Sequence, residues 1–301
     1  MLVNKNTIAT VFKNLTASFN KAFAAAPTVW QLVAMKVTST TSENSYVWLS
    51  KFPRMRKWVG EKNVKQLEAH QYTIINDDFE ATVEVDRNDV EDDTLGIYGP
   101  QAEMAGMSAK ALPDELITEL VAGGFTQLCY DGQYFFDTDH AVNGASVSNK
   151  GTAALSIATQ AAAQASYGAA RTALRSMKDE EGRSLNINPD VLVVPPALED
   201  VANALMTAER LEDGKTNLYK GTAKVVVMPG LTSTTAWFLL DTTKPIKPFI
   251  LQVRKEPVPV AMTDINSESV FMHKQYKFGA EARMAAGYGF WQMAYGSTGA
   301  A

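Results

Sequence analysis

The chain predicts an α+β protein, and three observations carry that class. Between 79 and 86 apolar and polar residues alternate, with Phe79, Ala81, Val83 and Val85 set against Glu80, Thr82, Glu84 and Asp86, the period of a half-buried strand. A helical pattern follows from Thr94 to Ala122. After it come a helix–strand unit and a group of strand-like runs toward the C-terminus.

Ile8, Val11, Phe12, Leu15, Phe19 and Phe23 recur at helical spacing, and Pro27 stops that helix because its ring cannot continue the ladder. Residues 28–46 are short and mixed, which suits an arm lying over another surface; no apolar set there is dense enough for a core of its own. A strand, Tyr46-Val47-Trp48-Leu49, opens a two-stranded arm that runs to Asp93.

Charge divides this arm in two. Residues 51–65 carry Lys51, Arg54, Arg56, Lys57, Lys62 and Lys65 against Glu61 alone, with Trp58 among them. Residues 76–93 carry nine acidic side chains, including Asp77, Asp78, Glu91, Asp92 and Asp93, against Arg87 alone. Opposite blocks on one thin arm are hard to satisfy within it, so they point to contacts between copies of the chain. Glu91-Asp92-Asp93 also suit a helix entry, where carboxylates meet unsatisfied backbone donors.

The helix from 94 to 122 is broken in character at Pro113 and ended by Gly123-Gly124. Residues 125–140 form an aromatic turn-and-strand segment, and 159–178 an amphipathic helix. VLVVPP (191–196) reads as a buried strand, with a helix starting at its prolines. AKVVVMPG, TAWFLL and KPFILQV read as further strands, and the tail as a long extended segment bent at Gly279, Gly287 and Gly289. No fixed-period repeat is present.

Composition narrows the function. With 301 residues, 46% hydrophobic and 20% charged, the chain suits one large or two modest soluble domains. A net charge of −5 argues against a dedicated nucleic-acid binder. The one cysteine, Cys129, excludes an internal disulfide and fits a reducing compartment. AFAAAP (22–27) is too short for a signal core, and no 18-residue apolar run exists, so a soluble cytoplasmic product without membrane contact is expected.

The sharpest enzyme-like cluster is Asp131, Asp137, Asp139 and His140, which as metal ligands would define a metal-dependent hydrolase using Asp137, Asp139 and His140. The competing reading is a turn whose aspartates satisfy local backbone donors. His70 and His273 sit in no metal motif, and Glu91-Asp92-Asp93 lack the spacing of a calcium loop. Phosphate-loop and nucleophile-elbow patterns are absent, and Cys129 reads as a small residue packed beneath aromatics. Basic residues interleaved with Phe52 and Trp58 would suit stacking on single-stranded nucleic acid, but the acidic block that follows favours self-association. No enzyme activity and no cofactor are expected.

Several phrases, in order, carry a family resemblance. RKWVGEK (56–62), YTIINDDFEATVEVDRNDVEDDTLGIYGP (72–100), PDEL (113–116) and YDGQYFFDTDH (130–140) resemble the major head subunits of Mu-like transposable phages, as do MKDEEGRSLNINPDVLVVPPALE (177–199) and ARMAAGYGFWQMAY (282–295). The resemblance implies the Hong Kong 97 capsid fold, with an N-terminal arm (1–45), an extended loop (46–93), a peripheral domain with a spine helix (94–150), an axial domain (151–250) and return strands with the tail (251–301). It implies a virion protein, assembled in the bacterial cytoplasm into hexamers and pentamers of an icosahedral head around double-stranded DNA. The charged residues named above, with Glu61, become candidates for contact between subunits. Expected partners are further copies, a separate scaffolding protein, a portal, decoration proteins and non-specifically held DNA. Lys57, Lys62 and Lys65 are available for the covalent cross-links some relatives make, although exposed lysines are usually only solvated. An encapsulin-like shell holding a cargo enzyme shares the same fold and is the alternative within it.

Overall fold

The computed structural model describes residues 5–46, 72–86, 88–89, 98–262, 264 and 268–300. Two sheets organise it. One has four strands in the order β1-β11-β12-β4, formed by Ala34–Thr38, Phe249–Met262, Gln275–Tyr288 and Asp77–Asp86. The other has five in the order β7-β13-β10-β8-β9, formed by Lys150–Gly151, Ala294–Ser297, Trp237–Leu240, Val191–Val194 and Lys224–Val227. Two short antiparallel pairs complete the strands: β2 (Glu43–Ser45) with β3 (Thr73–Ile75), and β5 (His140–Val142) with β6 (Ala145–Val147).

The N-terminal helix α1 (Lys5–Ala25) lies against the long helix α3 (Tyr98–Gly123) of the same chain. Ile8, Phe12, Leu15 and Phe19 are buried with Val85, Tyr98, Ala102, Ala105, Val270, Tyr276, Phe278 and Ala280. The apolar stripe of α1 forms no core of its own and is completed by α3, β4 and β12. Gly106 permits the approach, since a Cβ there would stand 2.4 Å from the Phe19 carbonyl oxygen. Downstream, the Asp114 carboxylate accepts from Val29 and Trp30 N–H at 3.0 and 2.6 Å and fixes the start of α2 (Trp30–Val33).

Helix α3 continues through Pro113, which is buried within it and forgoes one ladder bond. The alternation read at 79–86 is realised in β4, but its partner is β12 rather than a neighbouring strand of an isolated arm, with Asp86 opposite Gln275 and Asp77 opposite Met284. Pro257 and Pro259 are tolerated in β11 because β1 ends opposite Val253, so one edge of β11 has no ladder to supply beyond that point.

The main core lies around the five-stranded sheet. Strands β8 and β10 are buried along their whole length, and Phe135, Phe136, Phe249 and Tyr288 pack beside them. The helix read at 159–178 is α4 (Gln160–Ala163), a π turn (Gln164–Gly168) and α5 (Ala169–Arg175). The helix after the prolines is α6 (Glu199–Thr207), and a short α7 (Glu268–His273) precedes β12. Three hairpin turns share one design, with bridges Leu128–Tyr134, Lys178–Ser184 and Arg210–Thr216. Each holds an acid–glycine pair whose glycine, Gly132, Gly182 or Gly214, has a positive φ.

A buried polar network joins the base of the 47–71 excursion to the sheet. Gln252 on β11 is fully buried; it accepts from Tyr46 Oη at 2.7 Å and donates to the Ile74 carbonyl at 3.0 Å and Asn76 Oδ1 at 2.8 Å. Asn76 Nδ2 in turn donates to Ser39 Oγ and to the carbonyls of Thr41 and Ser42. Burial pushes the Tyr46 phenol up to about 12, so it stays a donor at any ordinary pH.

Candidate assembly surface

Of the residues proposed for contact between copies, Lys51, Arg54, Arg56, Lys57, Trp58, Glu61, Lys62, Lys65, Glu91, Asp92 and Asp93 lie outside the described residues. Asp77 and Asp78 lie at the start of β4. The acidic block is less unsatisfied than its composition implies. Arg283 sits opposite Asp78 with Nε 3.3 Å from its carboxylate, and Lys277 sits opposite Glu84 at 3.8 Å. Asp86 accepts from Asn88 N–H at 2.7 Å, and Asp89 accepts from the Tyr98 hydroxyl. The return strand β12 therefore pairs two of the five acids of β4, a compensation that composition over 76–93 could not reveal because the cations lie some two hundred residues away.

The remaining acids face the trough between α3 and the sheet. Asp77 and Glu119 are exposed on the rim of a groove of about 360 Å3, and neither forms an ion pair among the described residues. A second hollow of about 200 Å3 lies beside it, with Glu80 and Glu115 on its lining. Glu80 stands directly opposite Glu281, a like-charge cross-strand pair relieved on one side by Lys255, 2.7 Å from Glu281.

The enzyme-like cluster does not assemble as Asp137, Asp139 and His140. Asp137 takes Tyr134 N–H at 3.3 Å and Thr138 N–H at 2.7 Å, the turn role, and Asp139 is exposed. His140 instead turns inward: Nδ1 is 2.7 Å from Asp131, and the ring stacks on Trp291 at 3.9 Å. Cys129 donates to the same Asp131 carboxylate at 3.0 Å, so three donor atoms of Cys129, Asp131 and His140 lie within 4.8 Å of one another. Burial pushes the Cys129 thiol well up, and Asp131 adds to that. Burial would raise Asp131 too, but the hydrogen bonds from His140 and Cys129 outweigh it and hold its carboxyl below the ordinary range. A protonated thiol and a carboxylate that accepts from Cys129, His140 and Gln133 N–H make a structural buttress for the turn, and the thiol is not an activated nucleophile. No described helix is long and apolar enough to cross a membrane.

The architecture is that of tailed-phage capsid subunits of the Hong Kong 97 type. A subunit from the procapsid of bacteriophage JBD30 superposes with a TM-score of 0.61 at 32% identity, covering 98% of this chain and 76% of that one. A virus-like particle subunit from Pyrococcus furiosus shares the fold at 9% identity, with a TM-score of 0.55 over 95% and 98% of the two chains. The family described as the Mu-like prophage major head subunit gpT matches residues 8–159, 153–231 and 230–300, and this chain belongs to it. The major capsid protein of Escherichia phage Mu is 34% identical over 294 residues, 98% of this chain and 74% of that protein. The FluMu prophage major head subunit of Haemophilus influenzae is 32% identical over 297 residues, 99% and 75% of the two. The chain is thus a structural head protein of the phage virion, in a family of capsid subunits rather than enzymes, and the hydrolase alternative falls.

Proposed function

We propose that this subunit builds hexamers and pentamers of an icosahedral head that encloses double-stranded DNA. Membership of the major head subunit family across residues 8–300 is the observation that carries the reading. In this assignment 1–45 is the arm, 46–93 the extended loop, 94–150 the peripheral domain around its spine helix, 151–250 the axial domain and 251–301 the return strands and tail. Pairing of β11 and β12 with β1 and β4 supports placing most of the return strands in the peripheral sheet, and β13 supports placing the tail in the axial one.

Contact between copies falls to Lys51, Arg54, Arg56, Lys57, Trp58, Glu61, Lys62 and Lys65 on the loop, and to Asp77, Asp78, Glu91, Asp92 and Asp93 at its base. Each exposed pair contributes only about 0.2–1 kcal/mol, but a closed shell repeats it in every subunit. The net charge of −5 keeps the wall from gripping packaged DNA through phosphate contacts. A scaffolding protein and a portal complete the expected partners. The solved JBD30 capsid is decorated with minor capsid protein trimers, and a comparable decoration is proposed for this shell.

Electron microscopy of the protein expressed with its phage assembly partners tests the reading. Icosahedral shells containing nuclease-protected DNA are expected. Small uniform oligomers without capsomers would refute it, and shells holding a protein cargo in place of DNA would favour the encapsulin-like alternative.

A further inference from the structure

Donors of three different chemistries converge beneath the turn at 128–134. Cys129 Sγ and His140 Nδ1 reach the two oxygens of one carboxylate, Asp131, at 3.0 and 2.7 Å, and the three donor groups lie within 4.8 Å of one another. They come from two elements, the turn and strand β5, so the fold rather than a local run of sequence brings them together. His140 is fully buried with its ring on Trp291, and Cys129 is nearly so. The Asp131 side chain is 19% exposed beside an exposed Gly132, which leaves the carboxylate as the way in. His140 Nε2 is buried with no hydrogen-bond partner among the described residues. No donor pins that nitrogen as an acceptor, and the ring proton is able to pass to it.

We propose that Cys129, Asp131 and His140 together bind one Zn2+ ion. Zinc accepts thiolate, imidazole and carboxylate ligands at about 2.0–2.3 Å in a tetrahedron, which spaces the ligand atoms about 3.4–3.6 Å apart. Sγ and Nδ1 reach that spacing by drawing back from the Asp131 oxygens by less than about 1 Å. Ca2+ and Mg2+ do not suit the set, because they surround themselves with oxygens. On binding, the thiol gives its proton to solvent and the ring proton moves from Nδ1 to Nε2. Lone pairs on Sγ, Nδ1 and one Asp131 oxygen then make the three bonds, with water in the fourth position. A dication against one thiolate and one carboxylate is neutral, which is the charge state that burial tolerates best. Asp137 and Asp139 stay outside the set, one taken by backbone donors and the other exposed. The ion ties the turn to the β5–β6 hairpin and, through the Trp291 stack, to the segment between β12 and β13. Because the Nε2 proton finds no acceptor, affinity falls about 10–100-fold below that of a fully supported site, and a micromolar dissociation constant is expected.

The test uses the full-length protein after dialysis against a chelator. One equivalent of Co2+ should produce a near-ultraviolet thiolate-to-cobalt band together with the visible bands of a tetrahedral ion, and Zn2+ should abolish both. Zn2+ alone should raise Tm. Cys129→Ser separates a metal site from a hydrogen-bonded buttress, because a serine hydroxyl still donates to Asp131 but is a poor zinc ligand. Its metal-free Tm should stay near the wild-type value, while the cobalt thiolate band disappears and Zn2+ affinity falls at least about tenfold. Wild-type protein with native circular dichroism and no thiolate band in Co2+ would overturn the proposal and leave the cluster a buttress. A rise in Tm with Zn2+ that Cys129→Ser keeps in full would overturn it as well, by placing the ion at other side chains. Either result leaves the capsid reading untouched.

Discussion

Replacing Gly106 by alanine should loosen the N-terminal helix without unfolding the main core. The added Cβ would sit 2.4 Å from the Phe19 carbonyl oxygen and 3.2 Å from both Phe19 C and Phe23 N, all backbone atoms that cannot swing aside. Helix α1 must withdraw by roughly 0.8 Å to restore contact distance. Ile8, Phe12, Leu15 and Phe19 are buried at that interface, and burial of such side chains contributes about 1.5–3 kcal/mol each. A gap of this size forfeits about a quarter to a half of the dispersion attraction across it. The middle of the range so implied, about 2–4 kcal/mol, is partly offset by about 1 kcal/mol from replacing a helical glycine with alanine, leaving about 1–3 kcal/mol against docking. Amide exchange over residues 8–25 should then quicken by about five- to hundredfold, while the buried strands β8 and β10 keep their protection. Gly99→Ala on the same helix meets nothing within 4 Å and is the control. Unchanged exchange in Gly106→Ala would refute the close-packed interface.

Other outcomes follow from the buried polar groups. Asp131→Asn should lower stability by about 1–3 kcal/mol, read as a drop in Tm, because it weakens the acceptor shared by Cys129, His140 and Gln133 N–H. Asp131 and Asp179 both have carboxyls held below the ordinary range: burial raises each, and hydrogen bonds, from His140 and Cys129 or from Arg183, prevail. Their contribution should therefore be fully present above about pH 4, the unfolded carboxylate range, and be lost as pH falls below it through the folded values. Acid titration of Tm should show this loss, less steeply in Asp131→Asn. Gln252→Leu should cost about 2–4 kcal/mol by removing the bonds Gln252 makes to Tyr46 Oη, the Ile74 carbonyl and Asn76 Oδ1, and limited proteolysis should then cut near residues 46 and 72 faster than in the wild type.

Local periodicity made much of this fold legible. The alternation at Phe79–Val85, the stripe of Ile8, Phe12, Leu15 and Phe19, and the apolar run at 191–194 each announced an element whose type depends on near neighbours. What stayed hidden depends on distant ones. Nothing near Asp78 or Glu84 foretells Arg283 and Lys277, so the acidic block read as unsatisfied although those two acids are paired in the sheet. His140 sat beside Asp137 and Asp139 in sequence, yet a hairpin turn with a left-handed Gly132 brings Asp131 to it instead. The acid–glycine pairs at 131–132, 181–182 and 213–214 were a readable signal for all three such turns.

The two cores are spanned by β12 and by α3, and that placement bears on how a shell subunit can bend. In β12, Tyr276, Phe278 and Ala280 belong to the cluster under α1, while Ala282, Met284, Ala285 and Tyr288 belong to the main core. The changeover at Ala280–Ala282 lies opposite the stretch of β11 where the register shifts, between Val253 and Lys255 and again between Lys255 and Val258. Bulges concentrate twist and bending at a few residues while leaving the ladder on either side intact. Here they coincide with the end of β1 opposite Val253 and with Pro257, so the ladder is interrupted where the sheet passes from one core to the other. A change of curvature at 253–258 would therefore fall between the packing of Phe278 and that of Tyr288, and α3, which spans both clusters, must flex with it. On the proposed reading, a chain that takes places in rings of different order gains from compliance concentrated there, because close-packed cores switch between arrangements rather than deform continuously.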